Sequence, residues 1–159
     1  MTAMPSSRRA EVTLPADDQI LITREFDAPR RLVYRAWTTP ELVGRWWSGR
    51  RGEMTLVEMD FRVGGAWRYV MNARDGHEVG FHGEYLEIVP PSRLAFTFRW
   101  EEPAPDDRQT VVSLSLTDLG GTTELVVDQG LFATDARLAL HRSGWSESLD
   151  RLAEVLSAG

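Results

Sequence analysis

The sequence contains no cysteine and no lysine. Without cysteine there is no disulfide, no thiolate nucleophile and no sulfur ligand for zinc or an iron–sulfur cluster. All 18 basic residues are arginine, a bias that G+C-rich bacterial coding explains better than a functional demand. Positive charge is also in deficit, with 18 basic against 24 acidic residues and a net charge of −6. Nucleic acids and anionic membranes are bound through basic footprints, so neither is expected as a partner. The N-terminal MTAMPSSRRAEVTLPADDQ has an arginine pair but no apolar segment behind it. Neither a secretory nor a twin-arginine signal is therefore expected, and the expected location is cytoplasmic. Histidine is scarce, with three copies. His77 and His82 are five apart and face opposite sides of a regular strand, and no H-E-x-x-H pattern is present, so no metal and no cofactor are expected.

What is present suits one domain: 159 residues, 42% of them hydrophobic, bury a single sizeable core. Residues 1–18 lack periodicity and read as a flexible N-terminal leader, which leaves 19–159 as the domain. Ile20–Phe26 predicts a strand. In DAPRRL, Asp27 can cap a helix whose first turn takes Pro29 and whose apolar face is Leu32, Val33, Ala36 and Trp37. Thr38-Thr39-Pro40-Glu41 resembles a capping box opening a second short helix that ends near Gly44. Alternation then predicts six strands, Glu53–Asp60, Ala66–Asn72, His77–Val89, Arg93–Glu101, Thr110–Thr117 and Thr122–Gln129, antiparallel because their links are short. Over Thr134–Leu156 the period becomes helical, with Leu138, His141, Trp145, Leu149, Leu152 and Leu156 on one stripe.

Four stretches in this order, FDAPRRLVYRAWTTPELVGRWW, DFRVGGAWRYVM, HGEYLEIVPPSRLAFTF and HRSGWSESLDRLAEVL, resemble the activator of heat-shock-protein-90 ATPase homologue family, within the START-like (SRPBCC, polyketide cyclase) superfamily. The resemblance runs from Ile20 to Leu156. It implies an α+β helix-grip fold, a curved antiparallel sheet wrapped around the long C-terminal helix with two short helices after the first strand. It also implies a deep apolar cavity between sheet and helix. Function varies widely in that superfamily, so the resemblance does not name an activity. The family's eukaryotic namesake has a separate N-terminal domain for its main chaperone contact, and an 18-residue leader is no substitute for it.

The partner expected is a small hydrophobic molecule in a cavity of roughly 300–1,000 Å³, and a homodimer is left open. Candidate lining residues are Trp67, Tyr69 and Met71 in one strand, Phe81 and Tyr85 in the next, and Phe98 and Trp100 in the third. The last helix adds His141, Trp145 and Leu149, and the helical connector adds Trp47. Binding without defined catalysis is the favoured reading. A cyclase- or dehydratase-type enzyme is the alternative, with His141, or His82 and Glu84 on one strand parity, as acid or base. A chaperone-regulating interaction module is the third. Gly144-Trp145-Ser146-Glu147-Ser148 lies within a helix rather than at a strand-to-helix turn, which rules out a serine nucleophile elbow. Gly144 is expected to let the helix approach the sheet or to leave a void beside Trp145. Trp46 and Trp47 are adjacent and cannot share one environment on a helix. Trp46, four residues after Leu42, is expected as the core anchor and Trp47 as a gate at the rim or surface.

Overall fold

The computed structural model describes residues 11–13 and 18–158. Most of the expected leader lies outside them. Within it, β1 (Glu11–Thr13) pairs antiparallel with β2 (Gln19–Phe26). Helices α1 (Arg30–Thr38) and α2 (Pro40–Trp46) follow, then β3 (Gly52–Met59), β4 (Ala66–Ala73), β5 (Glu78–Val89), β6 (Arg93–Trp100), β7 (Thr110–Asp118), β8 (Thr123–Gly130) and α3 (Asp135–Ala158). The eight strands form one antiparallel sheet in the order β1-β2-β8-β7-β6-β5-β4-β3. This is the helix-grip architecture, and each strand from β2 to β8 begins and ends within one residue of its predicted span.

Alternation is the cause. Ile20, Ile22, Arg24 and Phe26 of β2, and Thr123, Leu125, Val127 and Gln129 of β8, are buried on one face, while the residues between them are half-buried. In β5, Phe81 and Tyr85 point inward until a bulge between Tyr85 and Glu87 shifts the parity, so that Ile88 packs against the core and Leu86 is exposed.

The helix starts differ from expectation. Pro29, not Asp27, is the N-cap of α1, and no side chain caps it by a hydrogen bond. Thr39 caps α2 by position alone, with Pro40 at the first turn, while the Thr38 hydroxyl donates back to the Tyr34 carbonyl. Pro40 supplies the preset φ that opens a helix without a side-chain cap. Helix α2 also runs through Gly44 to Trp46, because Val43 and Trp46 are both buried and their packing outweighs the propensity cost of one glycine.

Arg24 was not singled out in the sequence, yet it occupies an inward position of β2 and donates to Asp150 of α3 at 2.5 Å. It is 7% exposed, whereas Asp150 is 58% exposed. The two truncations should therefore differ. Removing Asp150 strands a buried guanidinium, while removing Arg24 leaves a carboxylate that water can solvate. Asp150→Ala should cost about 2–3 kcal/mol, clearly more than Arg24→Met, as measured by urea unfolding. Equal costs would mean that Arg24 is not desolvated in solution.

Candidate functional site

The inner face of the sheet brings the predicted aromatics together. Trp67, Tyr69 and Met71 of β4, Phe81 and Tyr85 of β5 and Phe98 of β6 are all buried, and Trp100 is half-buried. Helix α3 lowers His141, Trp145 and Leu149 onto this face, and the exit of α2 inserts Trp47. Six of these eleven residues, Trp47, Phe81, Phe98, Trp100, His141 and Trp145, surround a pocket between sheet and helix. Trp67, Tyr69 and Tyr85 meet the other side of Trp47 in a seam without room for a water molecule. Met71 and Leu149 are core residues that line neither space.

The pocket is far smaller than expected, about 40 Å³ rather than several hundred. The Trp47 indole fills the interior. It stands 4.9 Å from the Tyr69 ring and 5.6 Å from Trp145, centroid to centroid, both edge-on. Trp46, Trp67 and Phe81 complete its aromatic surroundings at 5.7, 6.0 and 6.3 Å.

Trp47 is accordingly 6% exposed and Trp46 0% exposed, which corrects the rim or surface position expected for Trp47. Both indoles are buried because α2 is covered on two sides. Trp46 turns toward α1, where its N–H donates to the Ala36 carbonyl at 2.9 Å and its ring meets Trp37 edge-on. Trp47, still in helical conformation as the C-cap, points about 100° away into the sheet. Among the described residues no acceptor holds the Trp47 indole N–H.

Polar groups enter the pocket from three elements. His141 Nε2 accepts from the Trp100 indole N–H at 3.1 Å, so the imidazole proton belongs on Nδ1. Burial first, then the charges of Arg137 and Arg51, push its pKa down to about 3. Gln129, fully buried, accepts from the Trp145 indole at 2.8 Å and donates to the Thr110 hydroxyl at 2.9 Å. Ser148 donates to the Trp47 carbonyl at 2.6 Å and accepts from Arg51 at 3.2 Å. Gln129, Ser148 and Arg51 were missed in the sequence. Gln129 shares inward parity with Leu125 and Val127, and Ser148 lies one turn after Trp145, so two of the three had a readable signal.

The alternative acid–base pair is not in this pocket. His82 lies opposite Arg68 and Arg99 in the sheet, and Glu84 is exposed on the same outer face. Gly83 and Tyr85 take the inward parity, and the β5 bulge comes too late to turn His82 or Glu84 in. Gly144 also differs from expectation: a Cβ there would lie 3.0 Å from Arg51 Nη1, so the missing side chain makes room for a guanidinium. Among the described residues no group of three or more histidines and carboxylates is placed to hold a metal, and no helix is long and apolar enough to cross a membrane.

A family model described as Activator of Hsp90 ATPase homolog 1-like protein matches residues 27–157. Among solved structures, a protein of Chromobacterium violaceum is 28% identical, with a TM-score of 0.78 over 89% of this chain and 98% of its own. A Rhodobacter sphaeroides protein is 24% identical, with a TM-score of 0.83 over 95% of this chain and 99% of its own. The AHSA1 protein of Silicibacter pomeroyi is 24% identical, with a TM-score of 0.77 over 88% and 98%. At 24% identity these last two likenesses concern the fold alone. No curated protein matches the chain.

The His141 environment has a pH signature. Its folded-state pKa is depressed, so below pH ~6.5 the unfolded chain takes up a proton that the native state refuses. The stabilisation is complete above that pH and is lost progressively as pH falls toward 3. Between pH 7 and 5 His141 should account for about 2 kcal/mol of lost stability, and His141→Gln should flatten that slope in denaturant titrations. An imidazole that titrates near 6.5 by NMR would contradict this environment.

Proposed function

We propose, for a chain that belongs to the Activator of Hsp90 ATPase homolog 1-like family, that it binds a small, largely apolar molecule between sheet and α3, with Trp47 as the side chain that yields to it. The observation that carries this reading is the position of Trp47 as the partition between two spaces. On one side is the 40 Å³ pocket, which reaches solvent past the exposed Leu140. On the other is the narrow seam lined by Trp37, Tyr69 and Tyr85, which has no room for a water molecule. Trp37, which lines this seam, has a buried indole N–H with no hydrogen-bond partner among the described residues, a donor that a ligand could satisfy. Moving one indole joins the two spaces, and nothing but packing holds that indole, in contrast to the tethered Trp46.

Apolar walls with a few fixed polar groups are the usual composition of a small-molecule site. The polar groups here suit orientation better than proton transfer. The lone pair of His141 Nε2 is already occupied by Trp100, and a base must have its lone pair free for the substrate.

The test is to shrink the partition. Trp47→Leu should enlarge the pocket, lower stability by about 2–4 kcal/mol and bind the neutral dye N-phenyl-1-naphthylamine at least ~10-fold more tightly than wild type, by fluorescence titration. Trp46→Leu should lose similar stability without that gain. Native mass spectrometry of freshly expressed protein should retain an apolar molecule that solvent extraction removes. If Trp47→Leu and Trp46→Leu bind the dye alike and native mass spectrometry finds nothing, the interior is a filled core and the reading fails.

A further inference from the structure

Three arginines lie between the sheet and α3, Arg24 from β2, Arg51 from the turn after α2 and Arg137 from α3 itself, and they are treated differently. Arg24 has Asp150, and Arg137 donates to Asp107 at 2.9 Å. Arg51, just past the exit of α2, has no carboxylate within 4 Å among the described residues. Its Nε donates to the Ser48 carbonyl at 3.3 Å, and its Nη2 to the Trp47 carbonyl at 3.3 Å and the Ser148 hydroxyl at 3.2 Å. Nη1 has no acceptor among the described residues. It lies at the pocket, beside the space that a side chain at position 144 would take. Burial pushes the Arg51 pKa down, and the charge of Glu147 offsets part of that cost from a distance.

Arg51 is the one charged group in the pocket lining, which has no aspartate or glutamate and whose histidine is neutral. A half-buried cation with an idle donor, set among indoles and phenyl rings, favours an anion. One cation and one free nitrogen match a single negative charge. A phosphate dianion would bring a second charge into apolar walls with nothing to neutralise it. The walls are flat aromatic surfaces, Trp47, Trp100, Trp145 and Phe98, which suit a planar ring. Glycine in mid-helix is less favourable than alanine, and what its missing side chain leaves open is access to Nη1.

We infer that the pocket takes a small aromatic carboxylic acid, with its ring in the space Trp47 vacates and a carboxylate oxygen accepting from Arg51 Nη1 at the gap left by Gly144. This rests on the pocket being the binding site proposed above, and it adds the charge and class of the ligand.

Matched pairs test it: phenylacetate against phenylacetamide, and 2-naphthoate against 2-naphthamide, titrated into the full chain at pH 7 by calorimetry and tryptophan fluorescence. The acids should bind about 10–100-fold more tightly than the amides, as a charge-assisted hydrogen bond predicts. Arg51→Gln should abolish that preference. Gly144→Ala should keep or raise thermal stability through helix propensity and yet weaken the acids at least ~10-fold by filling the gap at Nη1. It decides the matter if Arg51→Gln does not fold. Acids and amides binding alike would overturn the carboxylate assignment and leave the apolar site standing, as would undiminished acid binding by Gly144→Ala. If no probe binds, including the neutral dye in Trp47→Leu, the assignment falls together with the site.

Discussion

The hydrogen bond from the Trp145 indole to Gln129 sets how far α3 stands from the sheet. Gln129 occupies an inward position of β8 and is fully buried, so its amide would cost about 1–3 kcal/mol if left unpaired. Thr110 of the neighbouring strand supplies the acceptor at 2.9 Å and Trp145 the donor at 2.8 Å, and the second of these bonds requires the helix at one height. With Trp145 held there, Trp37 packs at 5.8 Å and Trp47 at 5.6 Å from it. The volume between helix and sheet is then decided by which rings occupy it.

Filling a concave sheet with a few large rigid rings differs from filling it with many small aliphatic groups. A Leu- and Ile-lined interior makes room by many small adjustments, each of which disturbs close packing. An aromatic interior makes room in one step, by turning one ring out of its contacts. The tryptophan pair divides the two roles: Trp46 is pinned by a buried hydrogen bond to Ala36, whereas Trp47 is held by ring contacts worth about 0.5–1.5 kcal/mol each.

Period-2 and period-3.6 patterns carried most of the fold, because burial on one face is what those periods encode. Thus β4 to β6 and the α3 stripe could be located residue by residue. Helix starts were less legible. Asp27 and Thr38 are good cap residues by type, but Pro29 and Thr39 are the N-caps observed, and Pro40 and tertiary packing fix where these helices begin. The site was half legible. Rings at inward parity were evident, as Gln129 and Arg24 were in principle, since a polar residue at an inward position needs an explanation. Arg51 lies in a turn without periodicity, and its role depends on Gly144, 93 positions later in the chain. The size of the cavity was not legible at all, because it is the difference between two large volumes that no spacing records.

The same contacts decide how a ligand could reach the interior. Lifting α3 would break Arg24–Asp150, Arg137–Asp107 and the Trp145–Gln129 bond together, leaving the buried Arg24 guanidinium, the buried Asp107 carboxylate and the buried Gln129 amide unpaired. Buried charged partners cost several kcal/mol each to strand. Displacing Trp47 gives up ring packing and strains the bonds that Ser148 and Arg51 make to its carbonyl, while the helix stays seated. The second route is the cheaper one, and it moves the chain segment that carries Arg51. Any molecule admitted past Trp47 therefore arrives beside the guanidinium whose Nη1 is still free to donate.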